Sequence, residues 1–197
     1  PMDLKEVPMH ALLGDIIGFF APMNGGKTEG LMQELRRAWY YSLNTIAYNH
    51  ERNTRERNTI VVDGKRKFKA RTVSGMKELR EDLEMRIEIL AADDIGKEVR
   101  GEKKKIDKII HYRGFPLKVV GIDEINLFCL TEQEASDTLE FMKWCKSEKI
   151  ALFVSGLLYD FRHFSFGYIN AILPYIDIKQ EKKPACMALY DNREKCA

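Results

Sequence analysis

A chain of 197 residues with 45% apolar content is long enough for one well-cored domain and short for two. Its formal charge of +2 gives no reason to expect a nucleic-acid binder, although a small acidic substrate needs only a local basic site. Four cysteines, Cys129, Cys145, Cys186 and Cys196, lack a secreted spacing, and no apolar run of about 18 residues is present, so a reduced, cytoplasmic protein without a membrane span is expected. Pro1 ahead of Met2 is read as a scar of tag removal, with Met2 the native start.

Residues 14–21 form an apolar run suited to a buried strand, and 28–41 carry Leu31, Met32, Leu35, Trp39 and Tyr40 at amphipathic helical spacing. A second strand is expected over 44–49. Residues 60–73 read as a hairpin turning at Asp63-Gly64, too polar on one side for a central sheet and so a surface excursion. From Ser74 to about Gly114 the pattern is taken as helical on Leu79, Leu83, Ile87 and Leu90. Leu117–Asp123 reads as a strand, Thr131–Lys149 as a helix opened by a Thr131/Glu134 capping box, and Ile150–Leu157 as another strand. Apolar strands alternating with helices predict an open α/β sheet with helices on both faces.

Two motifs carry chemistry. After the first strand, Ala21-Pro-Met-Asn-Gly-Gly-Lys-Thr28 brings a glycine-containing turn to the N-terminus of a helix. Its backbone N–H groups, those of Pro22 excepted, would cradle nucleotide phosphates through Ala21, Met23, Asn24, Gly25 and Gly26, with Lys27 reaching the β/γ oxygens and Thr28 ligating Mg²⁺. The strict pattern has glycine where this chain has Ala21. The second motif is Lys118-Val-Val-Gly-Ile-Asp-Glu124, which delivers two carboxylates to the C-terminal edge of the sheet. Asp123 there suits Mg²⁺, and Glu124 suits a general base acting on a hydroxyl or a water. The bland alternative, a strand end that caps the next segment, weakens once both motifs follow buried strands. The basic hairpin 65–71 and the 103–108 lysines are most simply solvated faces, and the four histidines have no metal spacing.

These motifs, with Leu31, Arg36 and Arg37, then Gly121-Ile-Asp-Glu-Ile-Asn-Leu-Phe128, Ser155-Gly-Leu-Leu-Tyr-Asp-Phe-Arg162, Phe166-Gly167 and Ile172–Ile176, resemble the thymidine kinase family of the P-loop, zinc-lasso type over residues 14–182. The resemblance implies a P-loop NTPase fold with a RecA-like parallel sheet, a kinase domain over 2–182 and a short or truncated lid over 183–197. It implies ATP and Mg²⁺ as cofactors, a deoxynucleoside acceptor phosphorylated on its 5′-hydroxyl, a role in DNA synthesis and a homotetramer. Glu124 matches the catalytic base, Asp123 the Mg²⁺ partner, Arg55 a cation neutralising transferred charge, and Met23, Phe128 and Phe161 the base pocket. Two of Phe161, Phe164 and Phe166 are expected in the core. Departures fall at the acceptor end. Leu158 replaces a family aspartate, Asn53 replaces another, and Asp191 replaces a threonine facing the thymine methyl, a change that would suit an amino group on the base. The Cys-x-x-Cys pairs are lacking, so no structural zinc is expected. Alternatives are a P-loop ATPase driving a nucleic-acid or assembly machine, with Glu124 activating water, and a nucleotide-binding homologue without efficient turnover.

Overall fold

The computed structural model describes residues 4–23, 25–53, 57–62, 64–91 and 108–181. Ten strands and three α-helices follow one another as β1 (Ile16–Phe20), α1 (Lys27–Tyr40), β2 (Asn44–His50), β3 (Thr59–Val62), β4 (Arg66–Lys69), β5 (Arg71–Val73), α2 (Met76–Glu84), β6 (Ile87–Ala91), β7 (Lys108–Tyr112), β8 (Phe115–Ile122), α3 (Glu132–Ser147), β9 (Ala151–Gly156) and β10 (Ile178–Glu181). The sheet order β10-β1-β9-β8-β2-β5 is parallel throughout, and β7 and β6 extend from β8 as antiparallel partners. This is the open α/β architecture that the alternating pattern predicts, and it agrees with the P-loop fold that the resemblance implies.

Alternation along the buried strands divides the core in two. Ile16, Phe20, Ile46, Tyr48, Val120, Ile122, Leu152 and Val154 face α2 and α3. Ile17, Phe19, Ala47, Val119, Ala151 and Phe153 face α1 and the N-terminal segment. On the α1 side Gly121 is a close-packing residue, since a Cβ there would lie 2.7 Å from Leu35 Cδ2. Arg37 fastens the N-terminal segment to α1 by donating to the carbonyls of Leu4 and Val7, each at 2.5 Å. Thr131 caps α3 through the expected reciprocal pair with Glu134. Among the described residues no helix is long and apolar enough to cross a membrane.

Three expectations change. The helix expected from Ser74 to Gly114 stops at Glu84. Leu79 and Leu83 do sit on α2, but Ile87 belongs to β6, which pairs with β7 from Ile87↔Tyr112 to Ala91↔Lys108. Ile-Glu-Ile-Leu-Ala is a β-branched, period-two run, and Arg113-Gly114, both at positive φ, makes the two-residue turn that returns the chain from β7 to β8. The hairpin is confined to β3 and β4, whereas Arg71–Val73 rejoins the main sheet beside β2. Arg71 is drawn there by Asp82, which accepts from Arg71 Nε at 2.6 Å, Arg86 Nε at 3.0 Å and the Tyr48 hydroxyl at 3.1 Å. Burial pushes the Asp82 pKa up, but the bonds from Arg86 and Arg71 outweigh it and leave the carboxyl below its ordinary value. Strand β10, with a polar Ile-Lys-Gln-Glu sequence, was not expected. It exists because β1 offers it a free edge, and Asp177 just before it accepts from Ile16 N at 2.8 Å.

Candidate active site

Strand β1 ends directly in the phosphate loop. Gly25 N donates to Pro22 O at 2.9 Å, and a Cβ on Gly25 would lie 2.6 Å from the Ala21 methyl. The methyl that breaks the strict motif therefore fits because Gly25 has no side chain. Gly26 at φ 79° occupies the left-handed region that glycine adopts without cost, and it opens α1. The loop thus aims the first, unbonded N–H groups of a 14-residue helix at whatever lies above them. Lys27 and Thr28, in the first turn, are buried. Asn24 lies outside the described residues.

Strand β8 brings the two carboxylates to the same place. Asp123 N donates to Tyr48 O of β2 at 2.9 Å, continuing the sheet beyond its last named residue. The Asp123 carboxylate is fully buried, and its Oδ1 accepts from the Thr28 hydroxyl at 3.3 Å and from the Ser155 hydroxyl at the end of β9. Glu124 lies 3.1 Å from Lys27 Nζ through Oε1, with 13% of its side chain exposed. Its backbone is left-handed, at φ 54° and ψ 48°. For a residue with a side chain that conformation costs roughly 1–2 kcal/mol, and here it turns the side chain away from β8 toward the loop. The 3₁₀ turn Ile125–Phe128 holds it, with Leu127 N donating to Glu124 O at 2.9 Å.

Two supporting residues escaped sequence reasoning. Ser155 is a buried hydroxyl in the otherwise apolar run Ala-Leu-Phe-Val-Ser-Gly, and that polar interruption was the available signal. Asn126, also buried, accepts from Leu157 N at 2.9 Å and so sets where the chain goes after β9. Gly156 leaves room for it, because a Cβ there would lie 2.8 Å from Asn126 Oδ1.

The segment after β9 builds an apolar wall. Asp160 closes a tight turn by accepting from Arg162 N at 2.8 Å and Phe164 N at 3.1 Å, and the hydrogen bond from the Arg162 side chain holds its carboxyl below the ordinary range. Phe161 stands at the tip, 90% exposed, with the Arg162 guanidinium 5.3 Å from its ring centre. Between this turn and the phosphate loop lies a cavity of about 620 Å³ lined by Pro22, Met23, Leu157, Leu158, Phe161 and Phe166, among others. That volume and its mostly apolar wall suit a flat heterocycle.

Met23 and Phe161 line one cavity, and Leu158, standing where the family pattern has an aspartate, contributes apolar wall to it. Phe128 does not line it. Its 3₁₀ turn points the ring into the core beneath α3, fully buried and edge-on to His50 at 4.9 Å, so its expected role against the base is corrected to a structural one. Of the three later phenylalanines only Phe166 packs on the core; Phe161 and Phe164 are exposed, which corrects the expectation for two of them. Arg55 and Asp191 lie outside the described residues, as do Cys186 and Cys196. His50 ends β2 buried, its Nδ1 accepting from Arg52 N at 3.1 Å. Burial, with Arg52 nearby, lowers its pKa, so the ring is held neutral.

The thymidine kinase family model matches residues 14–96, which contain β1, the phosphate loop, α1 and the hairpin. The match covers less than half of the chain, and over that span the chain is similar to the thymidine kinase family. No curated protein matches the chain.

Proposed function

We propose that this chain is an ATP-dependent nucleoside kinase that phosphorylates the 5′-hydroxyl of a deoxynucleoside. The observation that supports the reading is the Lys27–Glu124 contact of 3.1 Å, which joins the lysine that follows the phosphate loop to the carboxylate that follows Asp123. In the ligand-free chain the two neutralise each other. A γ-phosphate arriving over the loop competes for Lys27 and releases Glu124 to take the proton of the acceptor hydroxyl. That oxygen then bonds to the γ-phosphorus as the bond to the β–γ bridging oxygen breaks, and ADP leaves. Phe161 and Met23 hold the base, which fixes where the hydroxyl arrives. Arg55 is proposed to neutralise transferred charge, and Asp191 to meet the edge of the base.

The Thr28 hydroxyl and Asp123 carboxylate are neighbouring hard oxygen donors that would hold a Mg²⁺ ion brought with the nucleotide. When bound, the ion supplies charge neutralisation on the phosphates. The Ser155 hydroxyl donates to the same Asp123 oxygen as Thr28 and so orients that carboxylate toward the loop.

The test is a Mg²⁺-ATP turnover panel against the four deoxynucleosides, following both ADP and nucleoside 5′-monophosphate. Equal release of the two products is expected. ADP release without monophosphate would replace this reading by the ATPase one, and ATP binding without either product would replace it by a non-catalytic one. The homotetramer is proposed on the resemblance and is read by sedimentation equilibrium.

A further inference from the structure

The segment that walls the large cavity is fastened at both of its ends to the turn that follows Glu124. It leaves β9 at Leu157, whose N–H donates to Asn126 Oδ1 at 2.9 Å. It comes back at Tyr168, whose N–H donates to Cys129 O at 2.7 Å. Asn126 lies within the 3₁₀ turn Ile125–Phe128 and Cys129 directly follows it, so both acceptors belong to the short stretch that Glu124 opens. Each attachment is also closely packed. A Cβ on Gly156 would lie 2.8 Å from Asn126 Oδ1 and 2.9 Å from Ile125 Cγ2, and one on Gly167 would lie 2.5 Å from Cys129 O. Between the two points the segment is bonded to itself, Phe166 N donating to Leu158 O at 2.9 Å and Asp160 N to Phe164 O at 2.8 Å. The turn is fixed in its own right by α3, where the Thr138 hydroxyl donates to Phe128 O at 2.9 Å.

We propose that Asn126 is a positioning residue: by holding Leu157, it sets where the cavity wall stands relative to Glu124. The proposal rests on the nucleoside-kinase reading, in which the base lies against Phe161 and Met23 and the 5′-hydroxyl meets Glu124. A nucleoside is a nearly fixed ruler between its base and its 5′-oxygen. A wall that drifts relative to the carboxylate therefore presents the hydroxyl out of reach, and a displacement of about 1 Å costs on the order of 10²-fold in rate. The phosphates of ATP belong to the loop and the start of α1, which this tie does not include, so it should act on the acceptor and spare the donor. The bond uses an acceptor oxygen of Asn126, which is buried at 1% exposure. Asp supplies the same oxygen whether charged or protonated, while Ala takes the acceptor away from the Leu157 N–H.

The experiment compares Asn126→Ala, Asn126→Asp and Gly156→Ala with the parent chain, in steady-state phosphotransfer and in backbone hydrogen exchange read by mass spectrometry. In Asn126→Ala the 157–166 peptide should exchange about 5- to 100-fold faster while the peptides of β1 and α1 keep their rates. Its nucleoside KM should rise and its kcat fall, lowering kcat/KM about 10- to 100-fold with the KM for ATP within about twofold of the parent. A fraction of misfolded enzyme would lower kcat alone. Asn126→Asp should restore most of both readouts. Gly156→Ala pushes on the same oxygen from the strand side and should reproduce the Asn126→Ala pattern, which keeps the test decisive where Asn126→Ala folds poorly. Unchanged exchange over 157–166, nucleoside and ATP parameters falling together, or Asn126→Asp behaving as Asn126→Ala would each overturn the proposal. A parent that phosphorylates no nucleoside would instead end the kinase reading, and the exchange rates would still decide whether Asn126 holds the wall.

Discussion

Replacing Glu124 by Gln separates the base assignment from a structural one. Gln keeps the length of the side chain and meets the same backbone demand at φ 54°, so the turn into Ile125–Phe128 should persist. What it removes is a proton acceptor and the partner of Lys27, the two lying 3.1 Å apart with side-chain exposures of 6% and 13%. Loss of a general base should lower kcat by about 10²- to 10⁴-fold, roughly 3–5 kcal/mol on the barrier. Loss of a largely buried partner leaves the Lys27 charge uncompensated, so the apo variant should be less stable than the apo parent. ATP then does more for the variant, because its phosphates meet a lysine that no longer has to leave a carboxylate. A ligand at about 100 times its Kd stabilises by about 2.7 kcal/mol. At 2–4 °C per kcal/mol for a chain of this size, that is a Tm shift of about 5–11 °C, and the shift should be larger in Glu124→Gln than in the parent. The assays are steady-state phosphotransfer, ATP titration by calorimetry and thermal melting with and without Mg²⁺-ATP. Turnover within about threefold of the parent would refute the base assignment, and turnover and ATP affinity falling together would refute the competition for Lys27.

Gly167 sits at φ 55°, and a Cβ there would lie 2.5 Å from Cys129 O, so Gly167→Ala adds a left-handed penalty to a backbone clash and should cost about 2–4 kcal/mol in urea unfolding. The pKa of His50 is lowered on folding, so its contribution to stability is complete above the unfolded value near 6.5 and is lost as pH falls below it. Unfolding midpoints should therefore drop between pH 7.5 and pH 5.5, and His50→Asn should shrink that drop; an unchanged pH dependence would assign it to other groups. Burial pushes the Cys129 thiol up to about 12 and the Cys145 thiol up as well, so neither should alkylate in the native protein at pH 8 while both should label in urea, as read by peptide mass spectrometry.

The candidate phosphate loop and its neighbouring carboxylates could be read because each part is local. A strand, a turn with glycine at 25 and 26, a lysine and a hydroxyl are contiguous, and so are the apolar run and the pair Asp123-Glu124. The capping box of α3 is equally local, three residues deciding where the helix begins. What escaped depends on pairing across the chain. Ser155 reaches Asp123 over 32 residues, β10 is a strand only because β1 has an edge, and Ile87–Ala91 takes extended form against Lys108–Tyr112 although Leu79 and Leu83 continue into it at helical spacing. Phe128 was misplaced for the same reason: an aromatic four residues past the strand-end carboxylate Glu124 lines a pocket or fills a core according to a turn geometry that composition does not encode.

The departures from the family pattern divide by how they are accommodated. Ala21 costs little at the donor site because Gly25 opposite it leaves the space that its methyl occupies, so the loop retains its path with the two residues exchanged in function. At the cavity proposed for the acceptor, Leu158 extends an apolar wall made by Met23, Phe161 and Phe166, while Asp160 and Glu181 keep carboxylates in its lining. The residues proposed to hold phosphate are buried and cross-linked through Asp123, Thr28 and Ser155, whereas those proposed to meet the base stand on one turn held by Asp160, with Phe161 almost wholly in water. On the proposed reading, the acceptor end stands more open to water than the phosphate end. Substitutions on the 157–166 turn should therefore move KM among nucleosides and leave the ATP affinity where it was, and substitutions at Thr28, Asp123 or Ser155 should do the reverse.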